Sequence, residues 1–336
     1  KDQGDLSPIK YYEDILEVFY EPQPGLIDRS AIALGFFDGV HPGHQVVISR
    51  AVSEASRLKA RSGVVTFKDH PRGLTRGQAP LLLSVIEERL SLFDQMGVDF
   101  ALVLTFSEEL CRLSPSQYVE TMLVECLGAR SISVGHNHHF GRDREGDAKL
   151  LERIGKEKDF VVHAADMVYV DGLEVSSSRI RDLVIGKNLD LAARLLSRPF
   201  SLRGTVVRGD MRGRTLGFPT ANVQHAFNQL VPPCGVYAGF AQVLDEPGEK
   251  RLCVINIGVR PTFKNPELKI SMGTTEPILT VEAHLLDFDG DLYDKPMKLE
   301  FHKHLRDERK FDNLDALKAQ IGEDCSMAKN SLPCLI

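Results

Sequence analysis

No stretch of this 336-residue chain is apolar over the roughly 18–20 residues a helix needs to cross a bilayer, so no helical membrane span is expected. A basic excess is missing too: 41 Lys and Arg stand against 47 Asp and Glu, a formal charge of -6. A general nucleic-acid binder needs a basic face to neutralise phosphates. The six cysteines (Cys111, Cys126, Cys234, Cys253, Cys325 and Cys334) include no C-x-x-C pair. That spacing points to reduced thiols in a cytoplasmic compartment rather than disulfides or a zinc site. Internal repeats and low-complexity tracts are absent as well. The partners left are small molecules, with no nucleic acid and no membrane, and an oligomer is compatible with all of this.

What is present is ordinary globular material, 43% apolar and 26% charged, in a chain long enough for two cores. From residue 30 to about 185, short apolar runs alternate with helical patterns. Ala31–Phe37, Gly63–Phe67, Phe100–Phe106, Ser131–Gly135 and Phe160–His163 read as buried strands, with helices over Val46–Leu58, Ile86–Met96 and Pro115–Leu127 between them. That alternation predicts an α/β domain with a doubly wound parallel sheet. After a helix at about 188–197 the texture changes. Ser201–Val207, Gly235–Val243, Leu252–Ile257, Leu279–Asp287 and Met297–His302 are β-type runs punctuated by Gly and Pro, and helix returns only at Asn313–Ile321. This predicts a small antiparallel barrel with one closing helix. The boundary is placed between 186 and 199, dividing the chain into 1–187 and 188–336.

Chemistry is concentrated at two places. Directly after the first strand comes Gly35-Phe36-Phe37-Asp38-Gly39-Val40-His41-Pro42-Gly43-His44. A glycine-rich turn from strand into helix presents N–H groups and the positive end of a helix dipole to phosphate, which marks Gly35, Asp38 and Gly39 as candidate nucleotide contacts. His41 and His44, three apart, share a side of that helix start and suit charge building on a reacting phosphate. A pair of turn histidines is the competing explanation. Ser176-Ser177-Ser178-Arg179-Ile180-Arg181 offers hydroxyls that cap a helix but equally, with arginine, bind polyphosphate. The His136-Asn137-His138-His139-Phe140 loop follows another strand; its histidines bring no further zinc ligands with them, leaving Asn137 and Phe140 as candidates for contacting a ligand or holding the loop.

The second place is Gly204 to Asn222, with Gly209, Gly213 and Gly217 making a loop that can approach phosphates but ends in no Gly-Lys-Ser/Thr. Thr220 and Asn222 offer neutral oxygens suited to Mg²⁺ held together with substrate phosphate oxygens. Glu282 sits in an apolar strand pattern, where a carboxylate can take a proton from an attacking hydroxyl or simply face outward to water.

Taken in order, these segments resemble the bifunctional bacterial riboflavin kinase/FMN adenylyltransferase family. The likeness runs from about Ala31 to Asp324 and includes Gly35–His44, Thr66–Pro71, Val134-Gly135 with Phe140-Gly141, and Ser176–Arg181. It continues in Leu216–Asn222, Asn256–Phe263, Glu282–Phe288 and Leu305–Phe311. The resemblance implies a Rossmann-like nucleotidyltransferase domain followed by a riboflavin kinase barrel. It implies that ATP phosphorylates riboflavin to FMN and that AMP is then transferred to FMN, giving FAD. His41 and His44 would serve adenylyl transfer, with Ser177, Ser178 and Arg181 on the ATP phosphates and Asn137 in the same site. In the kinase half it implies Thr220 and Asn222 at Mg²⁺ and ATP, Glu282 as the base on the 5′-hydroxyl, and Arg306 near the flavin. Two further readings share some of these features: a kinase with an inactive first domain, and a flavin-responsive regulator without turnover.

Overall fold

The structure, a computed structural model, describes residues 16–70, 79–209, 213, 217–246, 248–259 and 279–332. The chain divides into two compact units, Lys1–Ser177 and Ser178–Ile336. This division falls ahead of the expected boundary after residue 187 and puts the helix Ser177–Ile185 largely with the second unit.

In the first unit, strands β1 (Glu17–Phe19), β2 (Ser30–Leu34), β3 (Arg61–Phe67), β4 (Phe100–Leu104), β5 (Ala129–Gly135) and β6 (Val161–Ala165) form one sheet in the order β1-β4-β3-β2-β5-β6. Every pairing in it is parallel, and a separate antiparallel pair, β7 (Tyr169–Val170) and β8 (Leu173–Glu174), follows it in the chain. Alternation along the strands sends neighbours to opposite faces. Ile32 and Leu34 join a core with Leu102, Leu123 and Ile132, whereas Ala33 joins another with Ala101, Val47 and Phe93. Both faces are therefore covered, and β2 and β4 are buried at every position. Helix α1 (Pro42–Leu58) covers one face with Val47, Ile48, Ala51 and Ala55, and α2 (Ile86–Gln95) adds Leu90 and Phe93.

Two local readings need correction. Edge strand β1, only three residues long, gave no pattern that the sequence could announce. The expected helix Pro115–Leu127 opens on a Ser114–Gln117 capping box as α3 (Pro115–Tyr118, following the short helix Glu108–Arg112) but then widens to a π-type helix over Val119–Glu125.

The second unit is a closed barrel of β9 (Phe200–Val207), β10 (Ala221–His225), β11 (Gly235–Val243), β12 (Arg251–Val259), β13 (Leu279–Leu285) and β14 (Pro296–Arg306), all antiparallel, in the order β10-β13-β12-β11-β14-β9. Strand β10 was not foreseen. It is the piece that closes the barrel, pairing with β9 on one side and β13 on the other. The closing helix runs over Leu314–Ser331, well past the expected end at Ile321. It passes through Gly322, an interior glycine of the kind helices tolerate at about 1 kcal/mol. Ala328 packs with Val236, Ala238, Phe240, Leu252 and Val254 on one face of β11 and β12. The Arg306 guanidinium donates twice to Asp324 of that helix, at 2.8 Å each, and fixes it to the end of β14.

The helix Leu189–Leu196 belongs to this unit and buries Leu189, Ala192, Leu195 and Leu196 against β9 and β14. Each such side chain is worth about 1.5–3 kcal/mol when fully buried, alanine less. A fragment starting at Ser178 is therefore expected to unfold cooperatively in urea. One starting at Pro199, the first residue of the barrel by sequence reading, is expected to be at least about 3 kcal/mol less stable.

Candidate functional site

The order of the first sheet reverses at β2: the chain moves from β2 through β3 to β4 on one side, then returns to place β5 on the other. Ligands of open α/β sheets bind beyond the carboxyl ends of strands at such a reversal. The segments leaving β2 and β5 there are Gly35–His44 and Gly135–Phe140.

The first of these is tightly built. Phe37, Gly39 and Val40 have positive φ (56°, 81° and 39°), and Phe37 and Val40 are buried. A β-branched residue in that region is strained, and such strain persists only where surroundings hold it. The Asp38 carboxylate accepts from the N–H groups of Leu83 (3.1 Å) and Ser84 (3.0 Å), and Gly39 N–H donates to Ser84 Oγ at 2.8 Å. Gly35 N–H donates to Val65 O at 3.2 Å, and Ser177 Oγ to Asp38 O at 2.9 Å. These bonds shape the loop from within the protein: the Gly35 and Gly39 N–H groups, the Ser177 hydroxyl and the Asp38 carboxylate each have a partner there.

His41 occupies the N-cap of α1 without capping it through its side chain, and Pro42 follows at the first helical position. A Cβ at Gly43 would sit 3.2 Å from the His41 ring, so glycine there lets the imidazole lie along the helix start. The His41 and His44 rings stack at 3.6 Å with 20° between planes, and His41 is buried. The structure thus brings the two histidines together at a helix N-terminus whose first turn carries no acidic residue.

After β5, Asn137 is exposed beside Gly135, while Phe140 is buried and tied in both directions to Gly146 by backbone bonds of 3.0 and 2.9 Å. Phe140 packs on Tyr118 and on His138, each with ring centroids 5.9 Å apart. It holds the loop. Ser178 is exposed and Arg181 half-buried, three apart on the helix Ser177–Ile185 of the second unit.

In the barrel, register does what sequence cannot. Asn222 of β10 faces Glu282 of β13, which faces Asn256 of β12, giving a half-buried polar row across adjacent strands. By alternation the row lies on the same face as Val254, the face that carries the closing helix. A Cβ on Gly209 would collide with the Asn222 amide, and one on Gly213 with the Phe218 carbonyl next to Thr220. Glycine at these two positions lets the backbone come close to the Asn222 amide and to the Phe218 carbonyl. Gly217 turns the chain with φ 84°. The Nδ1 of His284 lies 2.7 Å from Pro219 O and steadies the approach to Thr220. Beside Thr220 opens a cavity of about 260 Å³ walled by Val206, Leu285, Phe288 and Tyr293, with Asp289 and Asp291 at its edge. Asn256, His284 and this cavity were missed by site reading; the only hint was the apolar-aromatic run around Leu285–Tyr293. Arg306, expected at a flavin, directs its guanidinium to Asp324 and to Asp307 O (3.0 Å). Residues 71, 210–212, 214–216 and 260–263 of the resembling motifs lie outside the described residues.

Comparison with known proteins follows this division. A family model described as FAD synthetase matches residues 25–179, and one described as riboflavin kinase matches 196–332. The Pseudomonas fluorescens protein named bifunctional riboflavin kinase/FMN adenylyltransferase is 40% identical over 90% of this chain and 93% of its own length. The Escherichia coli K12 protein of the same name is 35% identical over 94% and 96%. The chain belongs to this family. A Streptococcus pneumoniae crystal structure titled as a macrolide-efflux protein shares the architecture, with a TM-score of 0.78 and 26% identity over 94% of this chain and 99% of that one. Among the described residues no helix is long and apolar enough to cross a membrane.

His138 is the histidine of this loop that stacks on Phe140. Burial, reinforced by the charges of His139 and Arg144, pushes its imidazole down to about 4, and its Nε2 has no hydrogen-bond partner among the described residues. At neutral pH it is an uncharged ring stacked on Phe140. A histidine whose folded pKa is depressed stabilises the fold above its ordinary 6.5 and loses that contribution as pH falls toward 4. His138→Phe is expected to keep the stack and remove the titration. Between pH 7 and pH 4.5 the mutant should lose about 2 kcal/mol less stability than the parent, measured by urea unfolding at each pH.

Proposed function

We propose that this chain phosphorylates riboflavin with ATP to FMN and then transfers AMP from ATP to FMN, releasing pyrophosphate and giving FAD. The observation that carries the reading is that each unit has its own phosphate-type site. One is the stacked histidines at a helix start beyond β2, and the other the Asn222–Glu282–Asn256 row, with Thr220 just ahead of the strand that carries Asn222. We assign adenylyl transfer to 1–187 and the kinase to 188–336, in a cytoplasmic enzyme whose described cysteines are all free.

In the kinase half, Glu282 takes the proton of the riboflavin 5′-hydroxyl as that oxygen attacks the γ-phosphorus and ADP leaves. Gly213, Gly217, Thr220 and Asn222 contact the nucleotide. Thr220 and Asn222 are hard oxygen donors closely approached by glycine backbone, which fits Mg²⁺ bound jointly with ATP phosphate oxygens. Among the described residues no cluster of His, Cys, Asp or Glu offers a metal cage, in keeping with an ion that arrives with its nucleotide. The ion supplies charge neutralisation on the transferring phosphate. Arg306 acts by holding the closing helix next to the flavin.

In the adenylyltransferase half, a phosphate oxygen of FMN attacks the α-phosphorus of ATP. His41 and His44, together with the N-terminus of α1, stabilise the charge that develops there. Ser177, Ser178 and Arg181 bind the departing pyrophosphate, and Asn137 contacts the flavin.

Incubation with riboflavin, ATP and Mg²⁺, followed by chromatography of the flavins, should show FMN and then FAD. Riboflavin left unconverted would sink the reading. Glu282→Gln is expected to lower riboflavin phosphorylation at least about 100-fold while FAD still forms from supplied FMN at nearly the parent rate. The double variant His41→Ala, His44→Ala should do the reverse, cutting FAD formation about 100-fold or more while FMN accumulates.

A further inference from the structure

Among the described residues the most voluminous fully buried side chain is a charged one, Arg89 of α2. Its Nη1 donates to Phe36 O (2.8 Å), Phe67 O (3.0 Å) and Thr66 Oγ1 (3.2 Å), and its Nη2 to Lys68 O (3.0 Å). The Phe36 ring covers the guanidinium at 4.6 Å. Among the described residues it forms no ion pair, and its Nε has no partner. Burial lowers its pKa to about 10, which leaves it charged at neutral pH. The carboxylates of Asp38, Glu87 and Asp69 favour its charge without an ion pair to it, and that of Asp38 accepts from the N–H groups of Leu83 and Ser84.

Leaving a charge without a paired carboxylate in a core is expensive, and an apolar residue in α2 would serve packing better. The acceptors explain the choice. Phe36 follows β2, while Phe67 and Lys68 end and follow β3, so these carbonyls lie at the carboxyl rim of adjacent parallel strands. Thr66 Oγ1 itself donates to Phe36 O at 3.0 Å, which makes that carbonyl the shared node. Only a planar fork of N–H donors reaches all these groups from one side chain. The strained residues Phe37 and Val40, and then His41, follow the clamped carbonyl directly.

We propose that Arg89 is a positioning residue for adenylyl transfer: by clamping Phe36 O to the end of β3 it sets the path of the loop that places His41 and His44. The proposal rests on the reading that the first unit transfers AMP to FMN. A displacement of about 1 Å in catalytic groups can cost on the order of 100-fold in rate.

The test compares Arg89→Gln, Arg89→Lys and Thr66→Val with the parent in FAD formation from FMN and ATP, with riboflavin phosphorylation and thermal unfolding measured alongside. The expected result is a kcat for FAD formation lowered about 100-fold in Arg89→Gln. It should be lowered only about tenfold in Arg89→Lys and in Thr66→Val, with both KM values within about threefold and kinase turnover unchanged. A folded Arg89→Gln protein that keeps kcat within threefold overturns the proposal. So does a loss of kcat that follows melting temperature without partial rescue by lysine. If Arg89→Gln fails to fold, unchanged kcat in both milder variants overturns it equally. A parent protein that makes FMN but no FAD overturns the underlying reading instead, and the proposal with it.

Discussion

Strand β2 has a parallel partner on each side and a core on each face, and the first site follows from that confinement. With all five residues buried, the strand has no lateral surface to offer a ligand. Its carboxyl end is the one outlet, and because strand order reverses there, the chain segments leaving β2 and β5 diverge and leave room between them. The loop that emerges must then be stabilised without a regular hydrogen-bond ladder. Asp38 is tied to the 83–84 backbone, Gly39 to Ser84, and Phe36 O to Arg89. These bonds hold positive φ at Phe37 and Val40, a conformation bulky residues rarely keep on their own.

The barrel solves a related problem by different means. Its polar row lies within strands, so closure of the sheet fixes the spacing of Asn222, Glu282 and Asn256 through backbone pairing alone. Close approach of backbone to this row depends on glycine, since a side chain at Gly209 would meet the Asn222 amide and one at Gly213 the Phe218 carbonyl. Arg306 and Asp324 do for the closing helix what Arg89 does for the strand ends. A planar guanidinium joins elements that meet at an angle, in this case with its charge matched by a nearly inaccessible carboxylate.

The parts of this design legible in the sequence were those with a local period. Gly235–Val243 reads as a strand because its nine residues are apolar enough to be recognised without context, and the structure bounds it identically. Strand β10 alternates buried and exposed positions too, but it is short and follows a Gly- and Pro-rich run, so turn signals overrode it. The expected closing helix ended at Ile321, just before Gly322, whose local cost is readable, whereas the packing of Ala328 beyond it is not. The site residues divide in the same way. His41 and His44 are neighbours on a helix turn and needed only spacing, while Asn256 joins Glu282 through register between distant strands. Asp38 shows the same limit from the other side: its place in a phosphate-type loop was readable, but the backbone that its carboxylate accepts from lies 45 residues away in the chain.

The two sites therefore differ in how their catalytic groups are held, and that difference follows from the chemistry asked of each. A general base must meet one hydroxyl proton at hydrogen-bond distance, so a carboxylate on a strand, braced by neighbours on both sides, suffices. Stabilising charge that spreads over a phosphate during nucleotidyl transfer needs several donors converging from more than one direction. Strand faces point all their side chains along one normal and cannot supply that convergence. A loop joining a strand end to a helix start can, because it combines a helix terminus with side chains leaving at varied angles. The cost is a backbone path that is not self-supporting, which is why the first unit places a buried arginine and a carboxylate clasp behind its loop, whereas Glu282 is carried on a strand paired on both sides.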